Sequence, residues 1–342
     1  MSSIQAWDIF LIRTLQASGD WLKPVMESFT VLGYPQAYMV MVAIVYWSFK
    51  RKLGLRLAIF LSLVSSINSI LKLVFHAPRP YWVTAEIEAI HASRGFGMPS
   101  GHAQASVVWL LAGAYLRRTW FWIIAMVITF LIGLSRAFLG MHFPTQIIAG
   151  WSVGIAFMIC FLRFEEPLTT WVSQLKLSRQ ILMVLGLSML IVLAGAISLL
   201  FTAGWDMPLD WARKASPYLF LDRTILRSGG MASLAGNAGA FMGVAIGAIL
   251  MERSGGFVTT APWWIRLSRA IIGLSCMFLF YVGLQEIMPA EDRILAHAAW
   301  RFLGFCLVSF LAIYLVPVWL IRFGLLRPCP SQRMPEHDPT ME

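Results

Sequence analysis

Charge is scarce in this chain. Of its 342 residues only 13% are Asp, Glu, Lys or Arg, about half the roughly 25% of an ordinary soluble protein. A soluble fold of this length, about two domains, needs more polar residues than this to cover its surface. A cytosolic globular enzyme, a disordered chain and a fibrous protein are therefore excluded together. Acid is scarcer than base, with 17 Asp and Glu against 27 Lys and Arg. In a soluble protein the formal net charge of +10 would raise nucleic acid as a partner. No long basic patch is present, and cations that flank membrane spans and meet anionic headgroups explain the excess, so no nucleic acid is expected. Cysteine is scarce too. Cys160, Cys276 and Cys306 lie in apolar stretches and Cys329 in the tail; their spacing excludes a zinc site or a disulfide framework and leaves packing as their role.

What is present is apolar: 58% of residues are hydrophobic. Runs long enough to span a bilayer fall at about 25–49, 54–75, 100–116, 120–141, 144–162, 181–203, 229–251, 268–288 and 300–322. The expected fold is an all-α integral membrane protein with about nine transmembrane helices. The first run holds Pro35, a second candidate start for that span, and the third is short and polar, as suits a helix opening into a site. Residues 1–24 carry Asp8, Arg13 and Asp20 and lack the apolar core of a cleavable signal. Ile4, Trp7, Leu11 and Leu15 recur there at helical spacing, which predicts an interfacial amphipathic helix.

Orientation is read from the loops. One alternate set, which includes Lys50, Arg51, Lys52, Arg56, Arg117, Arg118 and Arg269, holds 15 lysines and arginines; the other, which includes Arg79, Arg94, Arg136 and Arg213, holds 10. The bias predicts the N-terminus outside and the C-terminus inside, with loops 76–99 and 136–143 sharing the outer face. The longest polar break in the middle, 163–180, is expected as a linker. Beyond it Gly239, Gly243 and Gly247 recur every four residues, a spacing for close helix packing, within the chain or as the seam of a homo-oligomer. Pro262, Trp263 and Trp264 followed by Arg266 predict an interfacial anchor. Asp206, Asp210, Arg213 and Lys214 are expected in a solvated outer loop, with a substrate entrance as the alternative; Glu86 and Glu88 are expected on a solvated loop face, with substrate selection as the alternative, and His76 and His91 as solvated or local hydrogen-bonders.

Ionisable residues at span ends are functional candidates, and three clusters fall on the predicted outer face. They are Lys72 to Pro80, Pro99 to His102, and Ser135 to Gln146. Lys72, Arg79 and Arg136 are three cations without obvious acidic partners, and together they call for an anion. Phosphate fits, since arginine grips its oxygens in pairs and lysine serves as a point charge. Ser100 and Gly101 open a helix, whose N-terminal N–H groups also favour phosphate, and Gly101 permits close backbone approach. His102 and His142 complete the set: two histidines at one phosphate allow one to attack phosphorus and the other to protonate the leaving oxygen. The cations neutralise the developing charge, so neither metal nor other cofactor is expected.

These clusters resemble the signature of the type 2 phosphatidic acid phosphatase superfamily, K-x6-RP, PSGH and SR-x5-H-x3-D. Lys72, Arg79 and Pro80 match the first, Pro99 to His102 the second, and Ser135, Arg136 and His142 the third. The resemblance implies a metal-independent membrane phosphatase with His142 as nucleophile, giving a phosphohistidine. It implies His102 as the acid and then the base, and Lys72, Arg79, Ser100, Gly101 and Arg136 as the phosphate cradle. One position departs: where the family has Asp, this chain has Gln146, as do members that resemble dolichyl diphosphatase. Residues 142 and 146 share a helical face, so the amide oxygen is expected to accept the His142 Nδ1–H and keep its orientation without the charge.

The implied organisation is a membrane phosphatase core at 1–162, the linker, a C-terminal transmembrane region at 181–325 and a cytoplasmic tail at 326–342. The expected activity is a lipid phosphate or diphosphate phosphohydrolase, with polyprenyl (undecaprenyl) diphosphate and phospholipid phosphates as candidate substrates. The expected place is a bacterial inner membrane, with the site facing the periplasm. A phosphotransferase acting from polyprenyl diphosphate onto a glycolipid shares the chemistry. A transporter or non-catalytic scaffold is disfavoured, because the ionisable cluster lies at one face and not at the midplane.

Overall fold

Apolar runs in lipid must satisfy every backbone N–H within the segment, and the chain answers with helices. The structure, a computed structural model, describes residues 3–290 and 293–329; the expected tail from residue 330 onward and the side chain of Ile4 lie outside the described residues. The helices are α1 (Ser3–Gln16), α2 (Lys23–Leu32), α3 (Pro35–Ile44), α4 (Arg51–Phe75), α5 (Pro80–Val83), α6 (Gly101–Leu116), α7 (Thr119–Phe138) and α8 (Pro144–Ser173). They continue with α9 (Leu177–Phe201), α10 (Leu209–Ala215), α11 (Arg223–Arg253), α12 (Trp263–Glu286), α13 (Ile294–Phe310) and α14 (Val316–Arg322). One antiparallel pair, β1 (Phe257–Val258) with β2 (Arg327–Pro328), closes one end.

Among the described residues seven helices are long and apolar enough to cross a membrane, or eight if a bent pair counts as one span. The expected nine are therefore not reached. The first expected span is that pair, bent by 58° between residues 32 and 35. Pro35 starts α3 and holds Tyr34 in extended backbone (φ −75°, ψ 146°), as the residue before a proline prefers. Helix α6, with 16 residues, is too short to qualify. The polar stretch expected as a linker at 163–180 is mostly helix: α8 runs on to Ser173 and α9 begins at Leu177. Glu165 explains why, since it takes Arg56 Nε at 2.5 Å and also the Tyr115 hydroxyl.

Helix α4 lies between the halves, against α6 on one side and α9 and α11 on the other. The expected small-residue seam is used inside the chain. A Cβ on Gly239 or Gly243 would strike the Phe302 or Cys306 carbonyl of α13, so this face is covered and does not offer a homo-oligomer seam. Two π-helical turns, Val45–Phe49 and Leu311–Leu315, meet between the halves. Pro317 has no N–H for the Ile313 carbonyl one turn earlier; the Tyr46 hydroxyl donates to that carbonyl at 3.0 Å, and Trp47 Nε1 to the neighbouring Ala312 carbonyl at 2.9 Å.

The end bearing β1 and β2 collects the Lys/Arg-rich loops, with Arg51–Glu252 at 2.8 Å and Arg56–Glu165 at 2.5 Å. Arg269, expected in a loop there, is instead buried, and donates to the carbonyls of Leu325, Thr259 and Trp47 at 2.7, 2.7 and 3.4 Å. The other end holds the ionisable clusters. Helix α1 lies across it. Asp8, Ile9 and Ile12 are buried, while Trp7 and Phe10 are exposed. Ile9 and Ile12 pack with Ala137, Phe143 and Ile147, and Asp8 caps α8 by accepting from Thr145 N and Oγ1 at 3.0 and 2.6 Å.

Candidate active site

All three sequence clusters meet at this end. Lys72 lies in the last turn of α4, which stops at His76 in the left-handed region (φ 47°). The chain then turns through Arg79 and α5 into the loop ending at Ser100. Arg79, 3% exposed, ties that loop together: Nε donates to Gly95 O at 2.6 Å and Nη1 to Met141 O at 2.9 Å. Nη1 also lies 3.3 Å from His142 Nε2. Gln146 closes the ring, with Nε2 donating to Pro78 O at 2.8 Å, and its carbonyl accepts from Ser100 N at 3.0 Å.

His142 sits in the turn between α7 and α8. Its Nδ1–H donates to Gly97 O at 2.7 Å, with Gln146 Oε1 a longer second acceptor at 3.3 Å. The main acceptor is thus a backbone carbonyl, where Gln146 was expected. Gln146 Oε1 also accepts from Phe143 N at 3.2 Å, so this amide chiefly knits α8 to the loop. Only glycine fits at 97, because a Cβ there would lie 2.5 Å from Pro78 O and 2.6 Å from Gln146 Nε2. With Nδ1 protonated, Nε2 carries the lone pair. Burial first, then the charges of Arg79, Lys72, Arg136 and His102, hold the His142 imidazole well below its ordinary pKa, so it is neutral at neutral pH and its Nε2 is a free base.

The cations are gathered without acids. Among the described residues no carboxylate pairs with Lys72, Arg79 or Arg136; the acids at this end are engaged elsewhere, Glu86 with Arg13, Glu27 with His91 and Asp8 with Thr145. Arg136, 2% exposed, donates to Thr30 Oγ1 at 2.5 Å and approaches Met141 Sδ at 2.9 Å. Its Nε has no partner. Nor do Ser100 Oγ and His102 Nε2, both buried. Ser100 is the N-cap of α6, where a serine hydroxyl ordinarily bonds the helix backbone; here it makes no cap bond. Buried polar groups without partners are costly. Three of them beside three buried cations form a site for an anion rich in acceptor oxygens. Gly101 keeps the turn close to α4: a Cβ would be 3.0 Å from Asn68 Oδ1.

Several residues that shape the site carry no motif. Asn68 donates to Pro99 O at 3.2 Å and Gln104 Oε1 at 2.8 Å, and so fixes the turn before His102. Thr30 and Gly97 come from segments whose sequence shows only apolar periodicity or a loop. Asp8 was visible as an acid in an amphipathic segment, the one signal that could have marked it. Other expectations are corrected. His76 is not solvated: it is buried between the rings of Trp205 (4.5 Å) and Phe96 (4.7 Å) and makes the local hydrogen bond that was its other expectation, Nδ1 to Val74 O at 3.3 Å. The outer loop of the second half is not merely solvated: Trp211 packs on Trp82 at 6.1 Å, and Lys214 donates to Val83 O at 2.6 Å. Asp206 and Asp210 pair with Arg223 and Lys214.

The sequence has known relatives. Residues 37–170 match the PAP2 superfamily, and residues 235–328 match the PAP2 superfamily phosphatase transmembrane extension. The chain is 26% identical to glucose-6-phosphatase 3 of Bos taurus across 97% of its own length and 99% of that protein. It is 29% identical to phosphatidylglycerophosphatase B of Bacillus subtilis, across 43% of this chain and 77% of that one. It is 26% identical to the undecaprenyl-diphosphatase of Sulfolobus acidocaldarius, across 37% of this chain and 63% of that one. The chain is a multi-pass membrane phosphatase that belongs to the PAP2 superfamily and carries that superfamily's transmembrane extension.

Proposed function

We propose that this membrane phosphatase hydrolyses phosphate esters through a phosphohistidine at His142. One observation carries the reading: a neutral, buried imidazole, its unprotonated Nε2 met only by an Arg79 N–H at 3.3 Å, stands among three cations that no described carboxylate neutralises. In the first step Nε2 attacks phosphorus, an N–P bond forms, the P–O bond to the leaving group breaks, and His102, protonated by the proton that the phosphate monoanion brings in, gives that proton to the departing oxygen. In the second step His102 takes a proton from water, the oxygen attacks phosphorus, and the N–P bond breaks. Lys72, Arg79, Arg136, Ser100 and the backbone at Gly101 hold the phosphate oxygens and stabilise their charge through both steps. Gly97 and Gln146 keep the imidazole in the tautomer this requires.

The proposed place is the outer, periplasmic face of a bacterial inner membrane, since the opposite end bears the Lys/Arg-rich loops. The proposed division is a phosphatase core at 1–162 and a C-terminal region at 181–325. Lipid phosphates, polyprenyl diphosphate among them, are the first candidate substrates. Sugar phosphates are a second class, favoured by the similarity to a glucose-6-phosphatase along nearly the whole chain. The test is phosphate release across a panel of both classes with chelator present and His142→Ala as the blank. Turnover by the wild type and none by the variant is expected; turnover near wild type in the variant removes His142 as nucleophile.

A further inference from the structure

Behind His102 a cavity of about 330 Å³ runs between the two halves of the molecule. That volume is at the lower end of ordinary small-ligand sites. Its walls come from both sides. Ser65, Asn68 and Ser69 line it from α4, Ser233 and Asn237 from α11, and Arg301 from α13. Further in, the lining turns to Val42, Ala58, Val244 and Ala312. From Asn68 to Ala58 is ten residues of α4, about 15 Å at 1.5 Å per residue, so the cavity is polar beside the site and apolar in its depth. Asn237 is the sharpest feature. It lies near the middle of the 31-residue α11, where a polar side chain is expensive and usually functional, and its Nδ2 reaches Ser69 Oγ at 3.2 Å.

We propose that this cavity receives the leaving group of the phosphate ester, that this group bears hydroxyls within a few bonds of the phosphate, and that Asn237 of the extension selects for them. The proposal rests on the reading of His102 as the acid for the leaving oxygen, because His102 itself lines the cavity and the leaving group departs on its side. The chemistry of the wall gives the class. Amide and hydroxyl side chains both donate and accept, as a polyol does, whereas a second phosphate only accepts and would call for clustered cations like those of the site. The shared chemistry is a polyol monophosphate ester, whether a glycerolipid or a free sugar phosphate. A site that hydrogen-bonds a hydroxyl discriminates strongly against an analogue without one.

The experiment measures kcat and KM of the full chain, in detergent, on four substrates: 1-acylglycerol 3-phosphate, glucose 6-phosphate, dodecyl phosphate and farnesyl diphosphate. Wild type, Asn237→Leu and Asn237→Ala are compared. Binding of the same compounds to His142→Ala and to its Asn237→Leu double variant is measured in parallel, so that a failure of the nucleophile assignment is read separately from a failure of the cavity. The expected result is at least a tenfold preference in kcat/KM for one or both polyol esters over the other two, reduced to about threefold in the Asn237 variants through KM, with the same loss in binding. The polyol ester preferred tells lipid from sugar. Preference for farnesyl diphosphate or dodecyl phosphate in the wild type overturns the proposal. So does an equal fall on all four substrates in both variants, which is what a purely structural Asn237–Ser69 bond would give.

Discussion

The two ends of the bundle treat a buried arginine in opposite ways. At the end bearing β1 and β2, Arg269 is 1% exposed and its donors meet three backbone carbonyls; nearby Arg51 and Arg56 meet glutamates. At the site end, Arg136 is equally buried but keeps an Nε without a partner, and it adjoins other cations where an acid would normally stand. The first arrangement is complete and belongs to the fold. The second is incomplete and marks where something else binds. Burial alone does not separate the two; partners do.

Substitutions sharpen this contrast. Arg136→Ala is expected to lower kcat/KM by about 10²–10³-fold, the usual effect of removing one donor to transition-state charge, with the melting temperature unchanged or raised. A melting temperature lowered as far as that of Arg269→Ala would break the comparison. Arg269→Ala is expected to destabilise by about 3 kcal/mol, because it strands buried carbonyls, while kcat stays within twofold. A large fall in kcat at normal stability would place Arg269 in a functional network that its carbonyl partners do not suggest. Ser100→Ala is the smallest change. Its hydroxyl bonds nothing in the fold, so thermal stability should hold while kcat/KM falls about tenfold. A clear loss of stability would mean that the hydroxyl caps α6 after all.

The contrast also explains what the sequence made legible. Lys72, Arg79, Ser100, Gly101, His102, Arg136, His142 and Gln146 stand in three short motifs, and the structure gathers them at one end. Membrane class and the apolar helices were equally plain, since lipid leaves few alternatives. The span count was not: α6, with 16 residues, is too short to cross, and Pro35 bends the first run into a pair. Nor was the length of α8, which runs on through polar residues where Glu165 engages Arg56 and Tyr115. Least legible were the groups that act through tertiary contact. The Gly97 carbonyl takes the His142 Nδ1–H, Asn68 holds the turn before His102, and Asp8 reaches across from α1 to cap α8. A backbone carbonyl has no letter in a sequence, and a polar residue in a span does not reveal which helix it faces.

The proposed mechanism turns on the nitrogen of His142. The direct measurement is to give the His102→Ala protein ³²P-labelled p-nitrophenyl phosphate, whose leaving group needs no acid, quench in alkali and map the label. The expected product is an alkali-stable, acid-labile phosphoramidate on His142 that accumulates because water is no longer activated, and that is missing when His142 is also replaced. Label on another residue, or label that survives the loss of His142, would contradict it.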